Sequence, residues 1–532
     1  MVDLPGPPEP PASAARSAAR RTVLAGAGLA AGAAVVPATA TAASAATGTA
    51  YVAARAAGSL LGTQERHLVG RFAYGVTPAL ARQVRQRGGA QHWFDWQLSP
   101  DGIPDHDAGQ VVGWFPGLAW SPSKLWQETV NGGMPGWQVM EDYQSWVLLR
   151  RIMSRRQLLE TMTEFWENHF HVPVYADGVF TWRRRYGDVI RKHALDSFEA
   201  LLQATATHPA MGIYLGNAVS DKTHPNENQG RELLELHTVG VGNYTESDVK
   251  SSARILTGYQ VDMWDTWSAG YNELAHWTGR VKVGSFSDAN SSADGRPVTQ
   301  RYLHYLAHHP DTAHRIATKL ATVFVRDDPP APLVNHLAQV YLAHGTKVRP
   351  VLQALVGSSA FRAAVDAKVR DPEGDVVATY RALGITVKKP TVRDSAPHQI
   401  IWQASTIGQG VSEWPRPDGQ PLDNASWASP SRMLGSLSTH YVLSGGWWPT
   451  KDIAYRSPTS WLPQPSVRFD VLVDHLSKKI LHRSSTDVLL QACCQAVDAT
   501  PSTVIDENHA VVTWLFPRLL TTFLDSPAHF RR

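Results

Sequence analysis

Residues 226–249 read NENQGRELLELHTVGVGNYTESDV, and this stretch predicts two helices joined by a tight turn. Asn226 can cap the first helix, which we expect to span residues 226–239 and to end at the glycine that follows. A capping box starts the second helix; it is formed by Thr245 and Asp248. The chain therefore doubles back at once, and the predicted structure is helical on both sides of the turn.

Outward from this stretch, cap signals and apolar residues at helical spacing recur along the chain, whereas the alternation typical of strands is scarce. We expect further helices over residues 183–206, 246–257, 298–309, 311–325, 331–344, 348–356, 371–383, 466–482, 485–497 and 507–524. The sequence predicts a mainly α fold: a large multi-helical globular unit with long Trp/Pro-rich loops and at most a small β-hairpin, around the segment GRVKVGSF.

Composition divides the chain into three parts. Residues 1–46 are an Ala-rich leader, residues 60–385 form a helical core that carries the candidate site, and residues 386–532 add Trp/Pro-rich loops and helices that pack on this core. In the leader, Arg20 and Arg21 precede a weakly apolar run of about 14 residues, too short for a membrane span of about 20. We expect export by the twin-arginine route, with cleavage near residues 40 to 47.

The mature protein is then extracellular or on the cell surface, without a transmembrane helix, because no later stretch is long and apolar enough. The 50 basic and 47 acidic residues include no long basic run, so we expect no nucleic-acid partner. Cys493 and Cys494 are adjacent in an apolar helical segment, which favours two buried thiols over a disulfide.

The helix over residues 226–239 concentrates polar side chains on one face. At about 100° per residue they fall within an arc of roughly 140°: Glu227, Asn228, Arg231, Glu232 and Glu235. One interpretation is a solvated stripe held by i,i+4 ion pairs. The other places this face in a cleft, where Glu232 and Glu235 serve as general acid and base or bind a cation, and Glu227, Asn228 and Arg231 bind the ligand.

Residues 165–172, FWENHFHV, contain the second candidate. His169 lies at helical spacing from Trp166, hence on the apolar side of its helix, where a buried imidazole needs a hydrogen-bond partner. It is either a core histidine or the partner of the acid face, as base, acid or metal ligand. A divalent metal would be held by His169, Glu232 and Glu235. Trp166 and His193 are further binding candidates.

Familiar catalytic signatures are absent, including His-Glu-x-x-His, the P-loop, the paired-glycine dinucleotide fingerprint and the nucleophile elbow. Zinc proteases and serine hydrolases are therefore disfavoured. The 19 tryptophans have flat apolar faces that suit sugar rings, although core packing accounts for most of them.

Several segments together resemble the bacterial domain of unknown function 1800 family. They are HLVGRFAYGVTP (67–78), FWENHFHV (165–172), HPAMGIYLGN (208–217), NENQGRELLELHTVGVGNYTESDV (226–249), ARILTGY (253–259), HYLAHHPDTAHRIATKLATVFVRDDPP (304–330) and GQGVSEWPRPDGQPLDNASWASPSRML (408–434). The resemblance implies an exported, mainly helical protein, often encoded beside a domain of unknown function 1501 protein, which is the candidate partner. It implies no settled activity. The chain departs from the family pattern after His276, where it has Trp277 and many members have Asp.

Three functional hypotheses follow. The preferred one is an exported hydrolase or lyase that acts on an envelope or extracellular polymer, such as a glycan, with Glu232, Glu235 and His169 as the acid–base set. The second is a metal-dependent enzyme that uses the same three side chains as ligands. The third is a non-catalytic assembly factor of the cell surface, for which the acid face would lie flat on the surface or in an interface.

Overall fold

Helices carry almost all the regular structure of residues 60–532, the part of the chain that this computed structural model describes. The leader over residues 1–46 lies outside the described residues. The first helices are α1 Thr63–Arg71, α2 Pro78–Gln86, α3 Ala90–Gln97, α4 His106–Gln110, α5 Pro122–Val130, α6 Gly136–Met153, α7 Gln157–His169, α8 Arg183–His193, α9 Phe198–Ala206, α10 Pro209–Tyr214, α11 Glu227–Glu232, α12 Glu246–Ile255 and α13 Arg296–Ala307.

The chain continues with α14 Pro310–Phe324, α15 Ala331–Ala343, α16 Val348–Gly357, α17 Ser359–Ala363, α18 Pro372–Leu383, α19 Ala396–Ile407, α20 Asn424–Trp427, α21 Pro430–Gly445, α22 Phe469–Ile480, α23 Asp487–Val497, α24 Ala510–Thr513, α25 Phe516–Leu524 and α26 Pro527–Phe530. The mainly helical class is confirmed. The region predicted as one helix over residues 183–206 is two, because Ser197 caps a new start by accepting a hydrogen bond from the Ala200 amide.

Within residues 60–532 the β structure consists of four short antiparallel pairs rather than a single small hairpin. They are β1 Tyr259–Val261 with β2 Ala269–Tyr271, β3 Val281–Val283 with β4 Phe286–Asp288, β5 Thr386–Val387 with β6 Ile453–Ala454, and β7 Ser466–Arg468 with β8 Val504–Asp506. Only β3–β4, with Val281 opposite Asp288, matches the expected hairpin. Strands of two or three residues are too short to show a period-2 pattern, which is why periodicity does not predict the others.

The helix predicted over residues 226–239 is an α-helix only in its first half. Asn226 caps α11 as expected, by accepting hydrogen bonds from the Asn228 and Gln229 amides. After Glu232 the chain continues as a π-helix over Leu233–His237. A π-helix has i→i+5 hydrogen bonds and therefore more residues in each turn. The side chains beyond Glu232 are thus rotated from the positions that 100° per residue assigned to them.

Buried apolar side chains of residues 60–532 form two clusters. The first joins residues 61–98 with 158–364, and the second joins residues 111–152 with 376–524 and includes Tyr74 and Val174. Within the second cluster, α18 and α19 pack against α6. All described residues belong to one compact unit, and our boundary at residue 385 stays a prediction. Cys493 is a buried free thiol and Cys494 a half-buried one.

No helix within residues 60–532 has both the length and the apolar character that crossing a bilayer requires.

A buried charge network ties α18, α21 and the C-terminal helices together. His440 Nε2 lies 3.1 Å from Asp375 Oδ1, and His440 Nδ1 lies 2.8 Å from Asp525 Oδ1. Arg432 Nη2 and Ser436 Oγ donate to Asp375 Oδ2, at 3.2 and 2.7 Å. Burial alone would lower the pKa of His440, but the two carboxylates outweigh it and raise this pKa to about 9.

This raised pKa predicts that stability falls as the solution becomes basic. The contribution of His440 is complete below its unfolded pKa of about 6.5 and is lost as the pH rises through about 9, which amounts to on the order of 3 kcal/mol. Urea unfolding at pH 6.5, 7.5 and 9 should show this decline in the free energy of unfolding. In His440→Gln the decline should be smaller, because that variant lacks the His440 contribution and keeps all other titrating groups. An equal decline in both proteins would show that His440 does not cause it.

Candidate functional site

On the predicted acid face, Arg231 and Glu235 have partners a short distance along the chain. Arg231 forms a bidentate ion pair with Glu246 of α12, at 2.8 and 2.7 Å, rather than the expected i,i+4 pairs. Glu235 accepts a short hydrogen bond from the Tyr244 hydroxyl. Glu227 and Asn228 are exposed. This side of α11 therefore resembles the solvated stripe more than a face inside a cleft. Its partners, Tyr244 and Glu246, belong to the turn and the helix that follow.

Glu232 lies half-buried near two other carboxylates. Burial, followed by the negative charge of Glu235 and of Asp418, raises its pKa. A carboxyl group with a raised pKa holds its proton more tightly than an exposed glutamate does. The role of Glu232 as a general acid stays a prediction.

His169 is buried, and both of its ring nitrogens have partners. Nε2 lies 3.1 Å from the His237 carbonyl, and Nδ1 lies 3.0 Å from Lys319 Nζ on α14. Burial and the Lys319 charge lower the pKa of His169 well below its usual value, and burial with the nearby Arg315 lowers that of Lys319 to about 7. His169 is therefore a neutral imidazole that donates to a carbonyl and accepts from a lysine.

Of the other predicted residues, Trp166 packs edge to face against His169, with ring centroids 5.7 Å apart, and His193 has a partner of its own. Trp166 is buried and donates from its indole nitrogen to the Ala194 carbonyl at 3.0 Å. His193 Nδ1 lies 3.3 Å from Asp196 Oδ2. Among residues 60–532, two sets of His and carboxylate side chains hold their ligand atoms within 4.8 Å of one another, and His169, Glu232 and Glu235 form neither. Their roles in catalysis and metal binding stay predictions.

A concavity with about 300 Å³ of atom-free space lies on the other side of α7 from His169. Residues 164–171 and 409–420 supply most of its wall. The lining residues are Arg151, Glu164, Glu167, Asn168, His171, Glu373, Gln409, Val411, Ser412, Trp414 and Gln420. Carboxyl, amide, imidazole and indole groups thus converge where the segment FWENHFHV meets the segment that begins GQGVSEW.

The loop over residues 408–420 is held against the end of α7 by specific hydrogen bonds. Asn168 Nδ2 donates to the Gln420 carbonyl at 3.0 Å, and the Gln420 amide donates to Asn168 Oδ1 at 2.6 Å. His171 Nε2 lies 2.7 Å from the Trp414 carbonyl. Gly419, with φ of 76°, approaches the Asn168 carbonyl so closely that any Cβ there would clash. This contact fixes the wall of the concavity.

Two glutamates at the bottom of the concavity share one arginine. Arg151 Nη1 donates a short hydrogen bond to Glu373 Oε2 and lies 3.9 Å from Glu164 Oε2. Glu164 also accepts a short hydrogen bond from the Tyr74 hydroxyl. Burial raises the pKa of Glu373 to about 8, because the opposing charge of Arg151 is offset by the charge of Glu164, and burial raises the pKa of Glu164 as well. The pair therefore retains a proton at neutral pH.

A third carboxyl group, Glu167, has two polar partners. Its Oε1 accepts a hydrogen bond from the Tyr143 hydroxyl at 2.6 Å and lies 3.7 Å from Arg183 Nη1. The concavity thus combines a carboxyl group whose pKa is raised with another carboxyl group that a phenol and a guanidinium hold in place, an arrangement that suits acid–base catalysis.

Sequence reasoning missed this site, although α7 carried a signal. Glu160, Glu164 and Glu167 recur at i, i+4 and i+7, and all three are buried or nearly so. The predicted site lay instead on the face of α7 that carries His169. The partners Arg151 and Glu373 come from α6 and α18, and no local pattern connects them to α7.

A family model described as "Protein of unknown function (DUF1800)" matches residues 67–531, nearly all of the described chain. No curated protein and no solved structure matches the chain. The matched range includes both segments that form the concavity.

Proposed function

Because the chain belongs to the DUF1800 family, whose description names no activity, we propose its function from its chemistry: it is a hydrolase or lyase that uses carboxyl acid–base catalysis on an envelope or extracellular polymer. We favour a glycan as that polymer. One observation carries the proposal, namely the pair of Glu373 and Glu164 in a concavity that also presents Glu167.

The roles of the three glutamates follow from their partners. Protonated Glu373, with its pKa near 8, is the general acid, which donates its proton to the leaving group. Glu167, held by Tyr143 and Arg183, is the general base, which takes a proton from water or from the substrate. Arg151 keeps Glu164 and Glu373 together and offsets charge that develops between them.

Two further features agree with a polymer substrate. Half-buried Trp414 lines the concavity, and its indole can stack on the apolar face of a sugar ring. Asn168, Gln409 and Gln420 supply amide groups of the kind that bind hydroxyls. The paired arginines and apolar run of the leader support export, which would bring the enzyme to such a polymer and to a domain of unknown function 1501 partner.

The test is a screen of purified protein against cell-envelope and extracellular polysaccharides, with released reducing ends and unsaturated products as the readouts. Conversion of at least one polymer by the wild type, with strong loss in Glu167→Gln, the variant of the proposed base, is the expected result. If no polymer is converted, or if conversion persists in Glu167→Gln, the proposal is wrong.

A second pair of variants tests the acid face predicted from sequence. Glu232→Gln and His169→Ala should each retain at least about a third of the wild-type rate, because their side chains do not line the concavity and His169 is bonded to His237 and Lys319. The measurement is kcat/KM on the polymer found in the screen. A loss of about 100-fold or more in either variant, with the fold intact, would instead place catalysis at Glu232 and Glu235.

A further inference from the structure

A second, larger concavity lies beside the first and is strongly basic. It has about 600 Å³ of atom-free space and is bounded by α1, the turn after it, α18 and the C-terminal segment. Six arginines line it: Arg66, Arg370, Arg381, Arg483, Arg531 and Arg532. We name it the arginine pocket. Its wall includes residues 66–77, most of which belong to the segment HLVGRFAYGVTP.

One side-chain carboxylate of the described residues, Asp366, lines the arginine pocket, and Asp371 and Asp375 also act on Arg370 from outside the lining. Asp366 holds Arg483 in a bidentate ion pair, at 2.7 and 2.5 Å. Arg381 donates to carbonyl oxygens of Tyr74 and Ile152, and Arg370 donates from Nε to the His529 carbonyl. Carbonyl groups accept hydrogen bonds but do not neutralise a guanidinium charge. The pocket therefore retains an excess of positive charge.

The guanidinium group of Arg370, which lines this pocket, has a donor nitrogen without a protein partner. Its side chain is almost fully buried, with 6% of the residue exposed, yet Nη1 has no hydrogen-bond partner among the described residues. Arg483 Nε and Arg532 Nε lack partners among the same residues. A buried donor without an acceptor costs free energy, more so when it is charged. Three guanidinium groups at one pocket thus have a nitrogen that lacks an acceptor.

The charges also act on one another. Burial, followed by the charge of Arg532, lowers the pKa of Arg370 to about 10, and burial with Arg483 lowers that of Arg66. A ligand that brings negative charge and several acceptor oxygens would relieve both the repulsion and the missing hydrogen bonds.

We propose that the arginine pocket binds a phosphate group. The number of convergent guanidinium groups exceeds what one carboxylate can satisfy, whereas a phosphate offers up to two negative charges and three or four oxygens. Inorganic phosphate and the end of a phosphorylated compound both present this group. This site is separate from the proposed catalytic concavity, although Tyr74 lines the arginine pocket and donates to Glu164 in the other.

Gly70 provides a way to block the pocket without removing charge. It lies in α1, lines the pocket, and a Cβ added to it would meet no atom within 4 Å. Gly70→Leu should therefore place a side chain in the pocket, while Gly70→Ala adds one methyl group and favours the helix. Within residues 60–532 no carboxylate is hydrogen-bonded to Arg66. Arg66→Gln should therefore leave the unliganded protein as stable as the wild type.

The experiment is calorimetric titration of the purified protein with inorganic phosphate, with glucose 6-phosphate and with acetate, at constant ionic strength in sodium chloride. We expect saturable binding of at least one phosphate compound, at least tenfold tighter than acetate. Arg66→Gln should weaken it roughly tenfold and Gly70→Leu should abolish it. Gly70→Ala and Arg82→Gln, an exposed arginine of α2 outside the pocket, should bind as the wild type does.

The two phosphate compounds distinguish the source of the ligand. Tighter binding of glucose 6-phosphate indicates a phosphorylated compound, and tighter binding of inorganic phosphate indicates the free ion. Absence of saturable phosphate binding would overturn the proposal, as would equal affinity for acetate or unchanged affinity in Gly70→Leu. Thermal unfolding with and without phosphate checks that each variant is folded, because a ligand that binds the native state raises Tm.

Discussion

Glu373→Gln is expected to lower kcat/KM by about 10²- to 10⁴-fold on the polymer substrate, the usual range for removal of a general acid. Glutamine has the same shape and can still accept a hydrogen bond from Arg151, so the fold should persist. Because an acid must be protonated to act, wild-type activity should decline as the pH rises through about 8, the pKa of Glu373. This basic limb should be absent from the residual activity of the variant.

The measurement is kcat/KM against pH from 5 to 10 for both proteins. Glu413→Gln is the matched control, since Glu413 lies in the same loop as the concavity wall but accepts from Gln144 and Ser405 and does not line the concavity. A Glu373→Gln protein that keeps half of the wild-type activity, with the same basic limb, would exclude Glu373 as the acid.

Asp375→Ala is expected to destabilise the protein by about 3–5 kcal/mol, the cost typical of breaking a buried ion pair from one side. Asp375 is fully buried and accepts from Arg432, Ser436 and His440. Its loss leaves the Arg432 charge without a buried carboxylate and removes the main cause of the raised pKa of His440.

Urea unfolding at pH 7 measures this loss. Asp107→Ala, at an exposed position in α4, is the control and should change stability by less than about 1 kcal/mol. A decrease of less than about 1 kcal/mol in Asp375→Ala would mean that the network does not hold α18 and α21 together.

Helices that begin with a clear local cap could be predicted from the sequence. The Thr245/Asp248 capping box starts α12 as expected. Two helices of the C-terminal part, α19 and α21, were not predicted, because proline is also common in loops. Pro397 and Pro430 lie in the first turn, where proline fits without loss of a helical hydrogen bond.

The candidate site was harder to predict because its members come from distant parts of the chain. The helical face with Glu232 was identified from spacing alone, and the structure gives Glu232 a raised pKa. The meeting of Glu164 with Glu373, more than 200 residues later, depends on how α7 packs against α18 and α6. Periodicity describes one helix at a time and contains no information on such packing.

Local signals were sufficient for the helical class, for several helix starts and for the family, because caps, periodicity and motifs act over a few residues. Which charged groups are buried together follows only from long-range packing. Packing placed two glutamates around one arginine in one concavity and collected arginines from four parts of the chain in another. The physical reason is desolvation: proton affinity and unpaired charge depend on burial and on neighbours brought close by the fold, and neither is encoded in local spacing.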